Sequence, residues 1–252
     1  MSISKNKIAE IRQLHQKKFR EQQGLFIVEG EKSVMEAICS DWKIEALFAL
    51  PTWLSKHETI LSGFEHDEIS PNELERISCL KTPQEVLVVV RKKEFDTHAI
   101  DINSPLLVLD GIRDPGNMGT IIRTADWFGL KQILCSEDSV ELTNPKVIQA
   151  SMGSFIRMKI VYADIVAYLH QLPKERAIYG TFMEGTSLKD IHFNNNDIVI
   201  IGNEGKGISE SVIPFISKRI TIPHHGESQT ESLNASIATA IVLYEYTINS
   251  CF

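Results

Sequence analysis

What most constrains the fold of this chain is a set of short apolar runs that each hand over directly to a polar or glycine-bearing loop. Leu106-Leu107-Val108-Leu109 runs into Asp110-Gly111, Ile198-Val199-Ile200-Ile201 into Gly202-Asn203, and the stretch from Arg219 to Ile222 into Pro223. Further strand-like stretches lie at Gln132 to Cys135 and Ala177 to Thr181, with helical patterns in most of the intervals. A strand without polar alternation is covered on both faces, and strands that alternate with helices pair in parallel. The pattern predicts an α/β domain, a mostly parallel sheet with helices on both faces. Ligands on such sheets collect beyond the carboxyl ends of the strands, so the loops named above are where chemistry is expected.

The first ninety residues read as a separate, smaller α/β domain. Leu25 to Val28, Ile44 to Leu50 and Val86 to Val90 are strand-like, and Glu31 to Cys39 is helical. Ser70-Pro71-Asn72-Glu73 has the form of a helix start, with a Ser cap, Pro in the first helical position and an acidic first turn. The polar stretch from Arg91 to Pro105 has no periodicity, which sets the expected division at residues 1–95, a linker at 96–105 and a second domain at 106–252. No apolar run approaches the roughly 20 residues that cross a bilayer, and the first residues lack the apolar core of a secretory signal. Cys39, Cys79, Cys135 and Cys251 are scattered, with no C-x-x-C pair, so reduced thiols and a cytoplasmic location are expected rather than disulfides or zinc.

A net charge of −7 argues against a protein that coats nucleic acid indiscriminately. Locally the balance reverses: Lys5, Lys7, Arg12, Lys17, Lys18 and Arg20 face only Glu10 among the first twenty residues. Charge alone does not separate a phosphate-binding patch from a solvated helix face.

Three strand-end segments carry candidate chemistry. In the first, Leu109 to Gly129, residues Met118, Ile121, Ile122, Ala125 and Phe128 fall on one helix face. Arg123 lies about 160° from the centre of that face, towards solvent, a ligand or another chain. Asn117 stands where it could cap the helix or offer an amide to a substrate. In the second, Gly202-Asn203-Glu204-Gly205-Lys206-Gly207 places three glycines in six residues. Its spacing fits neither a phosphate-binding P-loop nor a dinucleotide fingerprint. In the third, a polar loop after Pro223 leads to Ser232-Leu233-Asn234 at the start of a helix on which Leu233, Ile237, Ile241 and Tyr244 share a face. His224 and His225 have no evident companion ligands, so no metal is expected.

Taken in order, these segments resemble the three signature motifs of the SpoU (TrmH-like) methyltransferases of the SPOUT superfamily. The first is similar through Asp110, Asp114-Pro115, Asn117, Gly119 and Arg123-Thr124-Ala125. The second is similar through Gly202-Asn203-Glu204-Gly205 and Gly207, and the third through Ile222-Pro223 and Ser232-Leu233-Asn234-Ala235-Ser236. The likeness covers roughly residues 105 to 248, while Phe26-Ile27-Val28-Glu29-Gly30 resembles part of the RNA-binding domain often fused to these enzymes.

The resemblance implies a deep trefoil knot, a homodimer, bound S-adenosyl-L-methionine and methyl transfer to a ribose 2′-hydroxyl of structured RNA, ribosomal RNA before transfer RNA. By motif position it assigns Gly202, Asn203, Gly207, Ile222, Pro223 and Leu233 to the methyl donor, with Thr181 as a further candidate. The catalytic group it implies is Arg123 with Asn117, Glu204, Ser232 and Asn234. A guanidinium resists deprotonation, so Arg123 is expected to clamp phosphate and stabilise charge rather than act as the base. Lys17, Lys18 and Arg20 become candidate RNA contacts. Two alternatives remain open at this point: a non-catalytic RNA-binding protein of the same fold, and a SPOUT enzyme that methylates a base. The loop from His224 to Glu231 is longer than in shorter family versions.

Overall fold

The computed structural model describes residues 3–224, 226 and 232–249. The chain divides into two compact units, Met1–Lys93 with Thr143–Ile156, and Glu94–Leu142 with Arg157–Phe252.

The first unit carries helices α1 (Lys5–Gln13), α2 (Lys17–Gln23), α3 (Glu31–Ile38), α4 (Pro51–His57) and α5 (Pro71–Ile77). Its strands are β1 (Leu25–Glu29), β2 (Ile44–Ala49), β3 (Asp67–Glu68) and β4 (Val86–Arg91), in the order β1-β4-β2-β3. β4 pairs antiparallel with both β1 and β2, and Val86 to Val90 are buried without alternation because helices pack on the strand: Leu87 and Val89 share a core with Ile11 of α1 and Ile77 of α5, and α3 also contacts it. α5 begins with a complete capping box: Ser70 Oγ accepts from the Glu73 amide, and Glu73 Oε2 accepts from the Ser70 amide.

The second unit is built on β5 (Leu106–Asp110), β6 (Gln132–Cys135), β7 (Lys159–Tyr162), β8 (Ile178–Ser187), β9 (Ile198–Gly202) and β10 (Lys218–Thr221). They form one sheet in the order β10-β8-β9-β5-β6-β7, and every neighbouring pair is parallel. The helices of this unit are α6 (Pro115–Trp127), α8 (Ile165–Leu169) and α9 (Ala235–Asn249), while α7 (Pro145–Ser151) belongs to the first unit. α6 buries Met118, Ile121, Ile122 and Ala125, the face its periodicity marks, and packs against α9. Among the described residues no helix is long and apolar enough to cross a membrane.

Two departures from the sequence reading have physical causes, and one point that the sequence leaves open is decided by the fold. Residues 143–156, assigned above to the second domain, belong to the first unit, where α7 packs on β1 and the Phe155 ring meets Phe26 and Trp42 edge-on. Strand β8 does not stop at Thr181. Its pairing with β10 jumps from Gly180 to Thr186 while β10 advances only from Arg219 to Ile220, so residues between them bulge out of register. A Cβ on Gly185 would lie 2.6 Å from the Arg219 carbonyl oxygen, so the bulge needs glycine there. Finally, the apolar stripe of α9 turns outward. Ile237, Tyr244 and Ile248 are each more than half exposed, while the helix buries Ala235, Ser236, Thr239, Val242, Leu243 and Tyr246.

Candidate functional site

The carboxyl ends of β5 and β9 lie side by side, with Asp110 paired to Gly202. The loop after β9 closes on itself, the Asn203 amide donating to Gly207 O at 3.0 Å and the Gly207 amide to Asn203 O at 2.9 Å. Gly207 sits at φ +70°, and a Cβ on Gly202 would lie 2.3 Å from the Gly207 carbonyl carbon. The glycine at 202 is thus demanded by the returning backbone of its own loop. Asn203 completes the turn: Oδ1 accepts from the amides of Gly205 and Lys206, and Nδ2 reaches Gly111 O at 2.6 Å. The turn after β5 is held in parallel by the Gly111 amide donating to Ser136 Oγ. Beside it, Arg113 and the Ser136 hydroxyl hold the Asp138 carboxyl below its usual range.

Helix α6 is capped by Asp114, whose Oδ1 accepts from the Asn117 amide at 2.8 Å. Asn117 is therefore not the cap, and its side chain is used elsewhere. Its Nδ2 donates to Glu204 Oε1 at 2.8 Å, and its Oδ1 accepts from Asn234 Nδ2 at 2.8 Å. Asn234 in turn caps α9, its Oδ1 accepting from the amides of Ser236 and Ile237 and from Ser236 Oγ. The order of donors and acceptors leaves one orientation for both amides. Asn234 must turn its oxygen to the helix N–H groups, so its nitrogen faces Asn117, whose own nitrogen must then face the carboxylate. One polarised chain thus links all three strand-end segments.

Next to this chain lies an open cavity of about 630 Å³ within the second unit. Every residue expected to contact the donor lines it: Thr181, Gly202, Asn203, Gly207, Ile222, Pro223 and Leu233. Glu204 and Ser232 also border it. The sequence reading missed Phe182, Met183, Lys206, His224, Ala235 and Ala238 on the same wall. Phe182 and Met183 come from the bulged part of β8, which ordinary strand periodicity does not reveal. Ala235 and Ala238 could have been found, because small residues at the start of an amphipathic helix leave room at its N-terminus. His225 and most of the long loop after His224 lie outside the described residues, as does Cys251. Among the described residues no group of three or more His, Cys, Asp or Glu side chains could hold a metal ion.

Arg123 is exposed on α6 and lies neither in the cavity wall nor in the amide chain. In the first unit, Lys17 and Lys18 are exposed, and Lys17 pairs with Glu21 at 3.5 Å. Arg20 departs from expectation. Its side chain is buried, and Nη1 donates to the carbonyls of Leu14 and His15 at 2.9 Å each. Those carbonyls end α1, so the guanidinium joins two helices and does not present itself to a phosphate.

With this geometry established, comparison with known proteins identifies the chain. It belongs to the SpoU rRNA Methylase family, which residues 104–244 match. Residues 5–88 match the MRM3-like substrate binding domain. Over 250 residues, 96% of each chain, it is 28% identical to the 23S rRNA (guanosine(2553)-2′-O)-methyltransferase RlmP of Bacillus subtilis. Among solved structures, a TrmH-family protein from Porphyromonas gingivalis superposes with a TM-score of 0.84 at 34% identity, covering 98% of each chain. The AdoMet-bound rRNA methyltransferase from Sinorhizobium meliloti gives a TM-score of 0.85 at 27% identity, covering 97% of this chain and 95% of that one.

Proposed function

We propose that this protein transfers a methyl group from S-adenosyl-L-methionine to a ribose 2′-hydroxyl of ribosomal RNA. The observation that carries the reading is the Glu204–Asn117–Asn234 chain beside a cavity lined by every residue expected to hold the donor. The cavity suits such a group: its volume lies in the small-molecule range, and Ile222, Leu233, Ala235 and Ala238 offer an apolar wall for a purine. The loop backbone supplies polar groups for the ribose and amino-acid parts.

When bound, the sulfonium would supply an activated methyl group for in-line displacement, with S-adenosyl-L-homocysteine leaving and the hydroxyl proton passing to solvent. The protein's part is alignment, which can lower such a barrier by several kcal/mol. In this reading Glu204, held by Asn117, and Ser232 at the cavity edge orient the acceptor ribose. Arg123 clamps the adjacent phosphate and stabilises developing charge. Because Arg123 stands apart from the cavity of its own chain, the complete site draws on a second protomer. The exposed apolar stripe of α9, with Trp127 84% exposed on α6, supplies a surface for that homodimer. Lys17 and Lys18 contribute phosphate contacts from the first unit. The trefoil knot of the resemblance and a cytoplasmic location with the ribosomal substrate complete the reading.

The test is transfer of labelled methyl from S-adenosyl-L-methionine to ribosomal RNA. Label that protects its linkage from alkaline cleavage supports ribose methylation, label on a base redirects the assignment, and no transfer by a donor-binding protein favours a non-catalytic role. Mapping 2′-O-methyl sites in total RNA with and without the gene identifies the nucleotide.

A further inference from the structure

We infer that Asp110 is a positioning residue that clamps both ends of the donor-side loop and thereby sets donor affinity. This rests on the donor reading above and deepens it. Through its backbone Asp110 pairs with Gly202, where the loop begins. Through its side chain it holds Ser209, where the loop ends: Oδ2 accepts from the Ser209 amide and from Ser209 Oγ, each at 2.7 Å. One residue therefore fixes the entry and the exit of the stretch that carries Asn203, Glu204, Lys206 and Gly207 along the cavity wall.

Asp110 is only 8% exposed and ends a fully apolar strand, where a carboxylate is costly unless its hydrogen bonds are satisfied. The residue after Gly207 is Ile208, which is buried in the core of the second unit. The clamp and this anchor act on adjacent residues, Ser209 and Ile208, so the exit of the loop is held twice. Loss of the side-chain bonds frees the exit end while the strand pairing at Gly202 remains. The loop then samples positions in which its backbone groups no longer face the cavity.

The experiment uses the full chain and four variants: Asp110→Ala, Asp110→Asn, Ser209→Ala and Ser209→Thr. Binding of S-adenosylhomocysteine is measured by calorimetry, and exchange of the loop amides is followed in the ligand-free protein. Charge-assisted hydrogen bonds of this kind predict about a tenfold weaker Kd for Asp110→Ala and about threefold for Ser209→Ala, with recovery in Ser209→Thr. The KM for the donor should rise while the KM for RNA stays within twofold. Exchange at Asn203 and Gly207 should quicken by at least about tenfold in Asp110→Ala. If Asp110→Ala does not fold, Asp110→Asn takes its place with the same direction of change. Folded variants with wild-type affinity and wild-type loop exchange overturn the inference. A wild-type protein that binds no S-adenosylhomocysteine removes the donor reading, and the exchange data then decide the clamp by themselves.

Discussion

Asn117 Nδ2 and Glu204 Oε1 lie 2.8 Å apart although 87 residues separate them in the chain. The bond is available because Asp114, three residues earlier, has already capped α6. Asn117→Ala removes one bond to a carboxylate and one to Asn234. Hydrogen bonds to charged groups contribute about 1.5–3 kcal/mol, so turnover should fall about 10- to 100-fold. Asn117→Asp should be worse than alanine, since it sets a second carboxylate against Glu204. Single-turnover methylation at saturating donor measures both, and an aspartate variant as active as wild type would remove the relay from the mechanism.

Arg123→Ala should lower methylation by at least about 100-fold, the usual scale for losing a preorganised group that stabilises developing charge. Its Kd for S-adenosylhomocysteine should stay within twofold, because Arg123 is absent from the cavity wall. Arg123→Lys should recover little, as an ammonium cannot reproduce the planar fork. Substantial turnover in the alanine variant would exclude the residue.

Ile237→Glu places a charge in the exposed stripe of α9, where Ile237 is 52% exposed and Tyr244 and Ile248 lie on the same side. Sedimentation should show a dimer for the wild type and a monomer for the variant, with unchanged helical content. A monomeric wild type would return the stripe to another role.

Lys17→Glu with Lys18→Glu should weaken RNA binding and flatten its salt dependence, because fewer counterions are released. Arg20→Ala should act differently. Its guanidinium is buried against two carbonyls, so the loss should appear as about 2 kcal/mol of stability with the salt slope preserved. Equal salt effects from both changes would contradict the separation of roles.

How far these features could be read in advance depended on whether the cause was local. β5 and β9 were legible because each is an unbroken apolar run ending at a polar loop, whereas the donor-side residues were legible only through the likeness to the family motifs. Arg20 was not, because charge alone suggests a surface and nothing in the local sequence announces two carbonyls waiting at the end of α1. The placement of residues 143–156 with the first unit depends on long-range packing of Phe155 with Phe26 and Trp42. The outward stripe of α9 was visible as periodicity, but periodicity does not say which side faces a core. Whether Asn117 caps α6 was open in the sequence, because both it and Asp114 can cap, and only the fold shows that Asp114 does.

The most direct test of the central claim is a crystal structure of the protein with S-adenosylhomocysteine and an RNA fragment. The account predicts the ligand in the cavity between Gly202, Ile222 and Leu233, with Asn117 bridging Glu204 and Asn234 and an Arg123 guanidinium facing the acceptor phosphate. A ligand bound elsewhere, or an Arg123 turned away from the RNA in both protomers, would contradict it.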